Sequence, residues 1–165
     1  MTAGMQPDNP DDPGDAATLA ELAMALADAV EAALPGWVER SVERRAPVPD
    51  AQLRAAAAEA GRRAAAEVGA EMRALLATDV DGQRVNPLAL LRGAVRYPTD
   101  VLRAAGVAPV TDRDEFAERS FPDDVYDLAP ATWGDVDPSL HERGIVWGAA
   151  KAHVVLARRR REGKR

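Results

Sequence analysis

Apolar side chains recur at helical spacing through most of this chain, and nowhere do they alternate with polar ones over the length of a strand. Leu19, Leu22, Leu26, Val30 and Ala33 mark a first stripe. They predict a helix from about Ala16 to Leu34, capped at Asp15 or by Thr18 with Glu21 at capping-box spacing. Pro35 and Gly36 are expected to end or kink it, with Trp37, Val38 and Val42 continuing a short helical stretch to about Arg45. After Ala46-Pro47-Val48-Pro49, Asp50 is placed to cap a long helix from Ala51 to about Thr78, built from alanine, leucine, arginine, glutamate and methionine. Its apolar line runs through Leu53, Ala57, Ala60, Ala64, Val68, Met72 and Leu75.

Beside that line lie the small residues Ala57, Gly61, Ala65 and Gly69. Glycine inside a helix costs roughly 1 kcal/mol relative to alanine, so matched glycines mark a place where another backbone comes close. Gly144, Gly148 and Ala152 repeat the spacing near the C-terminus, and the two stripes are expected to pack together. Asn86-Pro87 opens a helix to about Arg96 with Leu88, Leu91 and Val95 inward. Tyr97-Pro98-Thr99 breaks it, and a short helix from about Asp100 ends at Gly106. Val107 to Val110 reads as an extended connector. Thr111 caps a further helix carrying Phe116 inward, residues 121 to 128 are irregular, and Asp137-Pro138 opens the last helix to about Arg161.

The expected fold is therefore all-α, a single-domain helical bundle with the Ala-rich helix 51–78 and the C-terminal helix 138–161 at its centre. Residues 1–14, with three prolines and three aspartates and little to bury, form an acidic leader. Residues 15–161 form the helical domain, and 162–165 a basic tail.

Composition narrows the function classes. A chain of 165 residues can bury a core without staples, and zero cysteines exclude a disulfide scaffold, a thiolate metal site and a cysteine nucleophile. No apolar run reaches the length of a membrane span and no signal region opens the chain, so a cytoplasmic protein without membrane contact is expected. The net charge of −6 argues against bulk binding to nucleic acid. The charge is uneven, however: every ionised side chain from Asp8 to Glu31 is acidic, whereas Arg158, Arg159, Arg160, Arg161, Lys164 and Arg165 crowd the other end. The excess of arginine over lysine matches the codon bias of a high-GC genome and carries no functional weight.

Candidate chemistry is sparse. Thr78-Asp79-Val80-Asp81-Gly82 lacks the ligand order of a calcium loop and reads as an acidic turn. Asp123, Asp124, Asp127, Asp135 and Asp137, with His141 one turn on, form the better group for a hard cation. Caps and turns account for the same aspartates. Neither His141 nor His153 has a serine partner in a recognisable context, and no phosphate-cradling glycine loop is present. Arg92 and Arg96, together with Arg158 to Arg161, are candidates for phosphate contact. A helix-turn-helix reading of residues 84–103 is disfavoured because Asp100 to Ala105 is short, mostly apolar and acidic at its start, and offers few polar side chains to base edges. Trp133, in the loop Ala131-Thr132-Trp133-Gly134-Asp135, is a candidate interface anchor.

The stretches Asn86-Pro87-Leu88 through Arg96-Tyr97-Pro98-Thr99, Phe121-Pro122-Asp123-Asp124-Val125-Tyr126 and Trp147-Gly148-Ala149-Ala150-Lys151-Ala152-His153 resemble a family of small uncharacterised proteins of high-GC Gram-positive (actinobacterial) bacteria. The resemblance spans roughly residues 37–160, implies a helical, cysteine-free cytoplasmic protein, and brings no activity or site residue with it. The functional expectation is a non-enzymatic interaction or regulatory protein with no cofactor and a protein partner. The interaction residues would be Trp133, Arg92, Arg96 and Arg158 to Arg161. The alternatives are a small metal-dependent hydrolase using Asp123, Asp124, Asp127 and His141, or a phosphate-contacting protein associated with nucleic acid.

Overall fold

The apolar positions of the first segment stay in helical register across Pro35: Leu26, Val30, Leu34, Val38 and Val42 are all buried. In the computed structural model, which describes residues 13–77, 86–110, 121 and 124–164, they form one helix, α1 (Pro13–Arg45). Of the end or kink expected at Pro35-Gly36 the end does not occur, and Thr18 lies within the helix rather than at its cap. A mid-helix proline costs about 3 kcal/mol through its missing N–H and its clash with the preceding turn. Burial of Leu34, Trp37, Val38 and Val42 across the break offsets that cost.

Asp50 accepts from the Leu53 amide at 2.7 Å and starts α2 (Ala51–Ala77), as its position predicts. α2 runs antiparallel to α1. Arg73 near its end reaches Asp28 and Glu31, each at 2.5 Å, while Ala57 near its start shares a cluster with Val42. At the middle of the pair a Cβ on Gly61 would stand 2.9 Å from the Pro35 Cα, so this glycine lets the two backbones meet. A Cβ on Gly69 would meet the Glu31 side chain at 3.1 Å. The small stripe of α2 therefore faces α1 and not the C-terminal helix.

Asn86 caps α3 (Pro87–Gly93) by accepting from Leu88 N at 2.9 Å. The chain turns at Ala94–Val95 and resumes as α4 (Arg96–Ala104). The break thus precedes Tyr97-Pro98-Thr99, because Pro98 falls in the first turn of α4, where its missing N–H has no intrahelical partner to lose. α4 ends as Gly106 predicts. Gly106 has φ 74°, its amide bonds the Arg103 carbonyl at 3.0 Å, and the Val107 amide bonds the Leu102 carbonyl at 3.0 Å, which is a Schellman closure.

Residues 124–132 are irregular and held by their own polar groups. The buried Asp124 carboxylate accepts from Leu128 N at 2.7 Å and Ala129 N at 2.9 Å, and the Tyr126 hydroxyl donates to the Val107 carbonyl at 2.6 Å. A single helical turn, α5 (Trp133–Val136), leads into α6 (Pro138–Glu162), where Asp137 accepts from Ser139 N at 2.9 Å. Arg40 of α1 donates to the Val136 carbonyl at 2.9 Å and fixes the entry of α6 beside α1.

The chain is all-α, with no strand among the described residues. Its centre is α1, packed by α2, α4 and α6, rather than the pair of helices 51–78 and 138–161. Ala23, Leu26, Val30, Leu34 and Trp37 join Ala64, Val68 and Met72 of α2 and Leu140 and Trp147 of α6 in the larger apolar cluster. A smaller one gathers Val42, Ala57, Leu102, Tyr126 and Leu128, and Val101 packs against both. Gly144 of α6 receives the Trp133 indole and Gly148 has nothing within 4 Å of an added Cβ, so neither glycine of α6 meets the stripe of α2. The acidic leader up to residue 12, the turn 78–82 and the Thr111–Phe116 helix lie outside the described residues. No described helix is long and apolar enough to cross a membrane.

Candidate functional site

Alanine on α2 leaves room where a larger residue would fill the space against α4. A groove of about 670 Å³ opens there. Leu53, Ala56 and Ala60 of α2 face Val101 and Ala104 of α4, with Val107 closing one end. Val48, in the connector between α1 and α2, stands at the mouth and is 82% exposed. The charged lining consists of Asp50, Glu59 and Asp100 against Arg63, so the rim is acidic overall.

Tyr97 forms the inner end of the groove. Its ring is buried, its hydroxyl donates to the Glu67 carboxylate, and Arg96 donates to the hydroxyl oxygen at 3.1 Å. The Arg96 and Arg63 guanidinium groups lie 5.0 and 5.8 Å from the ring centroid, and Arg96 also approaches Glu71 at 3.7 Å. Burial, and next the bond to Glu67, push the Tyr97 pKa above its ordinary value. The same contact to Tyr97 raises Arg96. Asp50 is engaged at the α2 cap and Glu59 with Arg62 at 2.6 Å. The groove thus offers apolar contact and a charged rim, without a nucleophile beside a base.

None of Trp133, Arg92, Arg96 and Arg158 to Arg161 lines this groove. Trp133 is half-buried, begins α5 and packs against α6; a Cβ on Gly144 would lie 2.5 Å from its ring. It is not an exposed loop side chain. Arg92 donates through Nε to the Pro130 carbonyl at 3.1 Å and lies 5.1 Å from the Phe121 ring centroid, so it fastens the irregular segment to α3. Arg92 and Arg96 do line one cavity, of about 530 Å³, with Arg103, Asp100 and Asp124. Arg158 to Arg161 are elsewhere. The Ala131–Asp135 turn that Arg92 reaches packs at Gly144, and Arg159 is four turns further along α6, roughly 22 Å at 1.5 Å per residue. The two basic groups do not form one surface.

The acidic group is likewise dispersed into local structure. Asp124 and Asp137 bind backbone amides as above, Asp135 accepts from Ala131 N at 2.8 Å and Thr132 N at 2.7 Å, and Asp127 stands 3.9 Å from Arg45. Asp123 is outside the described residues. Among the described residues no three His, Asp or Glu side chains gather as a metal site. Sequence reading missed the groove because it depends on α4 lying across α2. The available signal was the run of alanines at 55–58, too small to fill a helix interface. Compared with protein-family descriptions, with curated proteins and with solved structures, the chain matches none of them.

Proposed function

We propose that this protein is a non-enzymatic helical interaction module that takes an apolar, basic segment of a partner protein into the groove between α2 and α4. The observation that supports this reading is the pairing of an apolar floor of Leu53, Ala56 and Val101 with an acidic rim of Asp50, Glu59 and Asp100. Amphipathic segments bind in such grooves by burying one face and pairing charges at the edge. The volume falls within the roughly 300–1,000 Å³ of ordinary binding clefts. The proposal places the module in the cytoplasm.

A photo-crosslinking residue at Val48, introduced in the native cell, tests the proposal. One discrete protein adduct is expected, lost when Ala56→Arg fills the groove and retained when Ala66→Arg adds the same charge at another exposed position of α2. No adduct at Val48, or one indifferent to Ala56→Arg, overturns the reading. A second reading, phosphate contact, draws support from the cavity of Arg92, Arg96 and Arg103, where Thr99 Oγ1 is buried without a hydrogen-bond partner. Calorimetric titration with inorganic phosphate tests it, with binding expected to vanish in Arg103→Ala.

A further inference from the structure

α6 carries more apolar surface than the core uses. Leu140 and Trp147 are buried against the core, but Ile145 and Leu156 remain 55% and 52% exposed, with Val146 beside them at 42%. Ile145, Ala149, Ala152 and Leu156 are all exposed and follow one another at steps of four, three and four residues, a seam along one side of a helix. Glu142 precedes the seam by three residues and Arg159 follows it by three, and both are exposed.

This series of steps reads the same in either direction, and its two ends carry opposite charge. We propose that the seam is the contact with a second copy of this chain, the two α6 helices crossing antiparallel about a two-fold axis between Ala150 and Lys151. In that register Ile145 meets Leu156 of the other copy, Ala149 meets Ala152, and Glu142 meets Arg159, each contact occurring twice. An isologous interface requires this self-complementarity. A different partner gives no reason for the pattern to reverse onto itself. A parallel pair would set Glu142 against Glu142 and Arg159 against Arg159, so charge selects the antiparallel arrangement.

The alanines at the centre let the axes approach, and the larger Ile145 and Leu156 fill the space to either side. The acidic entry of α6, with Asp137 and Glu142, then lies along the basic exit, with Arg159, Arg160 and Lys164. The contact spans about 26 Å at 1.5 Å per residue. A single helix pair sits at the low end of stable interfaces, so the dimer is reversible and concentration dependent. The seam lines no part of the α2–α4 groove, and the inference stands independently of the function proposed for that groove.

Sedimentation equilibrium on the full chain tests the proposal. The wild type is expected to pass from monomer to dimer at concentrations up to about 100 µM. Glu142→Arg and Arg159→Glu are each expected to weaken self-association by about tenfold or more, since each replaces two attractive pairs with two repulsive ones. Mixing the two variants is expected to restore a heterodimer, because both pairs are then complementary again. Both positions are solvent-exposed, and unchanged far-ultraviolet circular dichroism verifies the fold. The chain has no cysteine of its own, so Ala149→Cys mixed with Ala152→Cys is expected to form the mixed disulfide in preference to either symmetrical one. A wild type monomeric throughout, charge reversals without effect, a mixture that fails to associate, or faster symmetrical disulfides would each overturn the antiparallel dimer.

Discussion

Gly61→Ala places a methyl group where the backbones of α1 and α2 meet. The new Cβ would stand 2.9 Å from the Pro35 Cα and 3.0 Å from its carbonyl oxygen, closer than carbon atoms tolerate. Neither atom can swing aside as a side-chain tip would. The helices must part, and they carry the buried contacts of Leu34 and Val38 with them. Overpacking of this kind costs roughly 1–3 kcal/mol, against which alanine regains about 0.8–1 kcal/mol of helix propensity. The expected net effect is destabilisation by about 1 kcal/mol, within a range of roughly 0–2 kcal/mol. Gly148→Ala supplies the control, since nothing lies within 4 Å of its added Cβ and only the propensity gain applies. The two variants should differ by about 2 kcal/mol, or roughly 4–8 °C in Tm for a chain of this size. Urea unfolding of dilute protein followed by circular dichroism measures the difference. If Gly61→Ala proves as stable as Gly148→Ala, the close approach at Pro35 is not part of the native packing.

Arg92→Ala removes the bond to the Pro130 carbonyl and the contact with Phe121; a loss of about 1 kcal/mol is expected, with faster hydrogen exchange at the Leu128 and Ala129 amides. Unchanged exchange there would show that the arginine does not hold this segment. Tyr97 has a folded pKa raised above 10.0, so its contribution is complete below that value and lost as pH rises through the folded value. Phenolate absorbance should show a late-titrating component that disappears in Tyr97→Phe. Asp137 has a folded pKa lowered below 3.8, chiefly by the Ser139 hydroxyl and then by the Ser139 amide, so its contribution is complete above that value and lost as pH falls through the folded value. Asp137→Asn should flatten the acid limb of a stability–pH profile below about pH 4, where free carboxylates protonate.

Local chemistry carried much of the fold. Asp50, Asn86 and Asp137 each accept the amide bond that their position before a helical run predicts, and Gly106 takes the left-handed conformation that ends α4. Such features depend on a few neighbouring residues, so the chain alone determines them. The helix that runs on past Pro35, where an end or a kink was expected, and the break that precedes Pro98 share a cause. Proline weakens a helix by a local penalty, but whether the helix stops depends on what the residues beyond it bury, and on whether the proline falls in a first turn.

Pairing was not local. The stripe Gly61 to Gly69 announced a close contact without naming its partner, because a glycine matches any backbone that can reach it, and α1 reached it where α6 was expected. Trp133 illustrates the same limit. Its flanking residues read as an exposed loop, yet the space beside Gly144 drew its ring onto α6. By itself the sequence determined the all-α class, the long helices and most of their caps. Only the tertiary structure decided which small stripe met which helix, where α4 left a groove on α2, and that the Ile145–Leu156 face of α6 stays open. Helices form from contacts within a few residues along the chain, whereas grooves and interfaces form between segments whose meeting depends on the packing of all the others.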